Sequence, residues 1–167
     1  RTRELVGSHV LAAFGRTPNT EELNLGTAGV STDARGFVTV NDRLETTAKG
    51  IWALGDVNGG PQFTHASLDD YRIVKANVFA ARAPTTKDRL VPFTLFTDPE
   101  LARVGLTETE ARKRGLSVRV AKMPVAAIPR AKTASESRGF IKFVIDQKTD
   151  HVVGCTLLSV EAGEMIA

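Results

Sequence analysis

The sequence predicts an α/β unit followed by an α+β unit, and three observations carry that prediction. Ile51, Trp52, Ala53 and Leu54 form an uninterrupted apolar run between Gly50 and Gly55, the pattern of a short buried strand rather than a one-faced one. Ala83-Pro84 and the polar run Thr85 to Arg89 read as a linker, with a boundary near residue 88 that divides the chain into 1–88 and 89–167. Beyond it, strand-like runs and a capped helix follow in β-α-β-β order, the succession of an antiparallel sheet with helices.

Bulk properties are those of a globular chain. Of 167 residues, 42% are hydrophobic and 25% charged, enough apolar material for one domain or two small ones. The net charge is +3, but the basic residues are scattered, so no nucleic-acid partner is read from them. No apolar run approaches the roughly 18 to 20 residues that span a bilayer, and no secretory signal pattern is present. A lone cysteine, Cys155, excludes an internal disulfide and a dithiol made within this chain, which suits the cytoplasm. Arg1 to Leu5 open without a methionine and Glu161 to Ala167 read as a helix beginning, so the chain is expected to be a piece of a longer protein.

In chain order, His9 to Phe14 is an apolar run broken by Gly15-Arg16-Thr17-Pro18-Asn19, which predicts a buried strand and a turn. Thr20 to Gly29 predicts a turn with a single helical turn. Gly36 to Val40 alternates apolar and polar residues as a half-buried strand does, and Asn41 and Asp42 end it. After the strand at Ile51 to Leu54, Gly55 lets the backbone approach a ligand and Asp56 places a carboxylate at the strand's C-terminal edge, where α/β sheets bind nucleotides. Asn58-Gly59-Gly60-Pro61 is a loop. Gln62 to Ala66 leads into a helix running to about Ala83, with Leu68, Tyr71, Val74 or Lys75, and Val78 as the inward stripe. In the second half, Val91 to Gly105 gives two strands about an Asp-Pro turn. Thr107 with Glu110 has capping-box spacing for a helix ending by Gly115. Strands follow at Val118 to Met123, Phe140 to Ile145 and His151 to Leu158, the last two joined by a turn at Asp146 to Asp150.

The run T-T-A-K-G-I-W-A-L-G-D-V, residues 46–57, resembles the second FAD-binding signature of the pyridine nucleotide-disulfide oxidoreductases. V-L-A-A-F-G-R-T-P-N resembles the segment that closes their NAD domain, and T-D-P-E-L-A-R-V-G-L-T-E-T-E-A resembles their C-terminal interface domain. A-I-P-R-A, S-R-G-F-I-K-F-V and E-A-G-E-M-I are similar to the branch that holds mercuric reductase and the reactive-chlorine-resistance reductases. The resemblance implies the end of an NAD domain and part of a Rossmann-like FAD domain in 1–88, then a truncated dimerisation domain in 89–167. It also implies FAD and NAD(P)H as cofactors of the parent protein and a homodimer formed through 89–167. Asp56 would hold a ribityl hydroxyl, Gly55 and Val57 flank it, Gln62, Phe63, Thr64 and His65 would line the flavin, and Gly15 would lie by the nicotinamide cofactor.

The reactive groups of such enzymes are not in these 167 residues. There is no cysteine pair, no glycine-rich dinucleotide fingerprint and no His-Pro near the C-terminus, so no catalytic residue is assigned and the chain alone is expected to be inactive and colourless. His9, His65 and His151 are not at metal-ligand spacing, so no metal site is expected. Ser67 lacks a nucleophile elbow, Cys155 reads as a small buried residue, and Arg130 as a surface or partner-facing cation. The parent is expected to pass electrons from nicotinamide through flavin to a cysteine pair and an acceptor the sequence does not identify. The alternative is a non-catalytic dimerisation and assembly module.

Overall fold

A computed structural model describes residues 3–80 and 84–167. Two compact units divide the chain, Arg1–Thr86 and Lys87–Ala167.

The first unit is built from tight turns around a small core. Two 3-10 turns, Glu21–Leu23 and Leu25–Ala28, supply the helical turn expected over 20–29. Single antiparallel bridges join Thr32 to Val38, Val40 to Thr46 and Glu45 to Trp52, so Gly36 to Val40 and Ile51 to Leu54 are extended segments pinned at points, not ladder-forming strands. The physical reason lies in their spacing. Hairpins this short close after one pair, as at Asn41 to Leu44, where Leu44 N–H donates to the Asn41 carbonyl (2.8 Å) and Asn41 N–H to the Glu45 carbonyl (3.0 Å). Val30, Val38 and Ala53 form the core, with Leu25, Val40, Ala48 and Val57 packed on it. Ile51 and Leu54 are each 39% exposed, so the apolar run is buried at Ala53 alone and the continuous buried strand is corrected.

His9 to Phe14 differs more. It forms no strand, and Val10, Leu11 and Phe14 stand 97%, 89% and 95% exposed. A strand's backbone groups need a neighbouring chain, and none of the described residues pairs with this run.

The helix α1 spans Thr64–Phe79; its expected end at Ala83 lies outside the described residues. Its buried positions are Ala66, Asp70 and Ile73, spaced four and three apart. Leu68 (50% exposed), Tyr71 (48%) and Val78 (39%) face away. The predicted stripe is therefore the wrong one. Two of the three residues that pack, Ala66 and Asp70, are smaller, because the turn that α1 covers comes within a serine's reach of it.

The second unit is a five-stranded antiparallel sheet, β1 (Phe93–Leu95), β2 (Glu100–Gly105), β3 (Val118–Pro124), β4 (Phe140–Asp146) and β5 (Val152–Ser159), in the order β1-β2-β5-β4-β3. Every strand expected here forms. The helix α2, Glu108–Lys113, opens on the predicted capping box. Thr107 Oγ1 accepts from Glu110 N–H (3.1 Å), and Glu110 Oε2 accepts from Thr107 N–H (2.7 Å), satisfying two end donors reciprocally. A short helix α3, Pro129–Thr133, was not predicted; Pro129 sits in its first turn, where the missing N–H costs nothing. Ala162–Ile166 forms α4, as the sequence led one to expect. One sheet face packs Ala111 of α2 against Val118 and Val144, the other packs Ala162 of α4 against Ala102 and Leu157. Cys155 is half-buried rather than buried, and burial pushes its thiol pKa up.

Three carboxylates have their pKa lowered by hydrogen bonds formed in the fold. Glu108 is held below its ordinary pKa of 4.5 first by its hydrogen bond from Lys142 (3.0 Å) and then by that from Arg112 (3.1 Å). Glu110 is lowered by Thr107, and Asp146 by the Lys148 N–H (3.0 Å) and the Thr149 hydroxyl (2.9 Å). A carboxylate whose pKa is lowered on folding adds stability that is complete above its unfolded value and is lost as pH falls through the folded one. The melting temperature followed by circular dichroism is expected to hold level down to about pH 5 and then fall. Glu108→Gln should flatten part of that fall; an unchanged acid limb would show that the Glu108 contacts contribute nothing.

Candidate cofactor-binding cleft

The site begins with the backbone of one turn. Leu54 is extended, and Gly55–Asn58 then wind into a 3-10 turn closed by Gly59 in the left-handed region at φ 73°. Gly59 N–H donates to the Asp56 carbonyl (3.2 Å), and the Val57 carbonyl accepts from Val38 N–H (2.9 Å), which ties the turn to the core segment. Gly55 has φ +76°, and a Cβ there would stand 2.8 Å from Ser67 Oγ on α1. Glycine is therefore favoured at 55 by conformation, and any Cβ there would also force the Ser67 hydroxyl or the turn to shift.

The turn's side chains divide by direction. Asn58 points inward: its Nδ2 donates to the Ala53 carbonyl (3.2 Å) and to Asp70 Oδ2 (3.0 Å), and its Oδ1 accepts from Gly60 N–H (2.9 Å). Asp56 points outward. It is exposed and opens on a cleft of about 560 Å³ lined by Gly15, Arg16, Thr17, Pro18, Asn19, Phe37, Asp56, Val57 and Gln62. Across the cleft, Arg16 Nη1 donates to Gln62 Oε1 (3.3 Å).

Of the predicted residues, Gly15, Asp56, Val57 and Gln62 thus line one cleft although Gly15 and Asp56 are 41 positions apart in the chain. Gly55 is buried behind the turn. Phe63, Thr64 and His65 do not line the cleft; Phe63 is the residue before α1, and its ring stacks on that of His65 (centroids 5.4 Å apart, planes at 15°). No side chain caps α1, so its first N–H groups keep their donor capacity. Sequence reasoning missed Phe37, which is 4% exposed and fills the space beside Gly59, and it missed Asp70. The acid of Ala66-Asp70-Ile73, at four-then-three spacing on one helix face, was the available signal, since a carboxylate on a buried stripe requires donors. Among the described residues no group of three or more His, Cys, Asp or Glu could hold a metal ion, and no helix is long and apolar enough to cross a membrane.

The cleft suits a polyol. An outward carboxylate accepts hydrogen bonds from vicinal hydroxyls, Gln62 and Asn19 supply amides, and Gly15 leaves the opposite wall open to close approach. Its volume lies within the range of pockets that take a small molecule or part of a larger one.

Comparison with known proteins places the chain among its relatives. A family model described as pyridine nucleotide-disulphide oxidoreductase matches residues 1–70, and one described as pyridine nucleotide-disulphide oxidoreductase, dimerisation domain, matches residues 91–167. The chain is 46% identical over 164 residues to the probable pyridine nucleotide-disulfide oxidoreductase RclA of Escherichia coli, covering 98% of this chain and 37% of that protein. It is 44% identical to a dihydrolipoyl dehydrogenase of Thermus scotoductus (98% and 35%) and 40% identical to a mercuric reductase of Staphylococcus aureus (94% and 29%). Among solved structures, the HOCl-induced flavoprotein disulfide reductase RclA from Escherichia coli matches with a TM-score of 0.86 at 47% identity, over 92% of this chain and 36% of that one. LpdA from Mycobacterium tuberculosis matches with a TM-score of 0.88 at 29% identity, over 96% and 35%. The chain spans about a third of the length of the curated relatives it matches.

Proposed function

Because the chain belongs to the pyridine nucleotide-disulphide oxidoreductase family, we propose that it forms one wall of the flavin site and the interface domain of an FAD-dependent, NAD(P)H-oxidising disulfide-reductase-type enzyme. FAD, when bound, supplies the hydride acceptance and electron relay that no side chain can perform. The residues of this chain bind and orient. Asp56 accepts from the hydroxyls of the cofactor's sugar-alcohol tail, Gly55 and Val57 set where that carboxylate stands, and Gln62 with the first N–H groups of α1 donates toward the ring end. Phe63, Thr64 and His65 follow Gln62 along the flavin, and Gly15 lies toward the nicotinamide. In the parent protein residues 89–167 hold two subunits together as a homodimer, in keeping with the dimerisation-domain match, and the enzyme works in the cytoplasm.

The single observation that carries this reading is that Asp56, presented by a turn whose left-handed first residue is Gly55, faces a cleft shared with Gly15 and Gln62. Nothing in these residues supplies the cysteine pair, so turnover belongs to the longer protein, and the isolated chain is expected to purify colourless. The test is Asp56→Ala in the full-length protein, read by flavin absorbance and by light scattering. Flavin affinity should fall about tenfold or more, as loss of a charged hydrogen-bond acceptor implies, while the dimer mass stays unchanged. Undiminished flavin affinity in the variant, or a monomeric parent, would overturn the corresponding half of the reading.

A further inference from the structure

The turn that presents Asp56 is held from behind by a second carboxylate. Asp70 on α1 is 2% exposed, and its Oδ2 accepts from Gly55 N–H (2.9 Å) and from Asn58 Nδ2 (3.0 Å). Those donors are the first and last residues of the turn, Gly55–Asn58. One oxygen therefore spans the turn, and Asp56 lies between the two anchored ends. Ser67, one helical turn earlier on α1, fills the space beside Gly55 where a Cβ would be. The helix thus fixes the turn twice, by a hydrogen-bonded carboxylate and by a close van der Waals stop.

The other buried residues of α1 are Ala66 and Ile73, and an apolar residue between them would bury more cheaply than a carboxylate. What an acid adds is geometry, because it draws a backbone N–H and a side-chain amide onto one point. We propose that Asp70 is a positioning residue for the cofactor site: it fixes the Gly55–Asn58 turn and so the place of Asp56 in the cleft. The first half of this stands on the hydrogen bonds; the second half rests on the flavin reading of Asp56.

The experiment uses the full-length protein and three variants: Asp70→Asn, Asn58→Asp, and the double exchange. Two readouts are taken, the exchange rate of the Gly55 amide hydrogen and the dissociation constant of FAD, with the melting temperature as the control for general damage. Asp70→Asn takes away the charged acceptor of these bonds, leaving either a neutral amide oxygen or an NH2 set against the two donors. It is expected to speed Gly55 exchange and raise the FAD dissociation constant, each about tenfold. Asn58→Asp sets two carboxylates against each other and should do the same. The double exchange lets the amide now at position 70 donate to the carboxylate now at position 58 but takes the carboxylate acceptor from Gly55 N–H, so it should recover part of the lost melting temperature while Gly55 exchange and FAD affinity stay impaired, a separation that a residue of purely structural worth would not produce. Should Asp70→Asn fail to fold, Asn58→Ala, which deletes one donor and leaves the acid, must still shift both readouts in the same direction. Unchanged Gly55 exchange in these variants refutes the grip on the turn. Faster exchange with unchanged FAD affinity refutes the link to Asp56. A wild-type protein that binds no FAD would instead sink the flavin reading, and the Gly55 exchange rates would still decide the first half.

Discussion

Gly139→Ala is expected to unfold the second unit's sheet under conditions in which the parent is stable. Gly139 immediately precedes β4 and has φ +108°, a region that residues with a Cβ rarely enter. A Cβ there would fall on the Leu158 carbonyl, 2.7 Å from its carbon and closer still to its oxygen, with Leu158 Cγ at 3.3 Å. Leu158 belongs to β5 and pairs with Phe140, so the obstacle is the backbone of the sheet's central strand, which no rotamer change can remove. Gly139 also accepts from Val125 N–H (3.1 Å), and shifting it away from β5 disturbs the 3-10 turn Val125–Ala127 that leads into α3. Backbone strain of 1–3 kcal/mol adds to parted strands, and a total loss on the order of 4 kcal/mol or more is expected. Gly115→Ala is the control. Its φ is +78° but nothing lies within 4 Å, so only the conformational cost of about 1–2 kcal/mol applies. Urea melts followed by circular dichroism compare the two; a Gly139→Ala loss no larger than that of Gly115→Ala would refute the account.

The second unit was legible because its signals are local and agree with one another. Alternation in Val118 to Met123, the capping pair Thr107 and Glu110, and the polar turn at Asp146 to Asp150 each fix an element without help from elsewhere, and the antiparallel pairing of β4 with β5 follows from the short turn. The exception is α3, whose five residues (Pro129–Thr133) are too few for a period to show. In the first unit the motifs singled out residues that line one cleft, while the elements were misread. Asp56 and Gly15 were found through motifs, and the cleft joins them. The extended runs were over-read: apolar content in His9 to Phe14 and Ile51 to Leu54 says that a segment can be buried, whereas a strand also needs a partner, which the segment itself does not encode. The stripe of α1 was misassigned for a related reason. Leu68, Tyr71 and Val78 have the larger apolar area, yet Ala66, Asp70 and Ile73 face inward, because what they pack against is a glycine turn with bonds to fill, not an apolar sheet.

That inversion gives Gly55→Ala its consequence. At φ +76° an alanine costs about 1–2 kcal/mol before any contact is counted, and its Cβ would press on Ser67 Oγ at 2.8 Å. Ser67 Cβ, at 3.5 Å, is in ordinary contact, so the obstruction resides in one hydroxyl. Either the Ser67 hydroxyl rotates aside about χ1 or the turn moves away from α1, and the second course lengthens the Gly55 bond to Asp70 and carries Asp56 out of register with Gly15 and Gln62. In the full-length protein the variant is expected to fold, to lose about 2 kcal/mol of stability and to bind FAD more than tenfold more weakly. Adding Ser67→Ala removes the hydroxyl and leaves the conformational strain. The double variant should therefore regain FAD affinity while its stability stays about 1–2 kcal/mol below the parent's. Calorimetric melts and flavin titration separate the two effects. If FAD affinity failed to recover when Ser67 is shortened, the placement of Asp56 would depend on the backbone conformation of Gly55 and not on the distance between the turn and the helix.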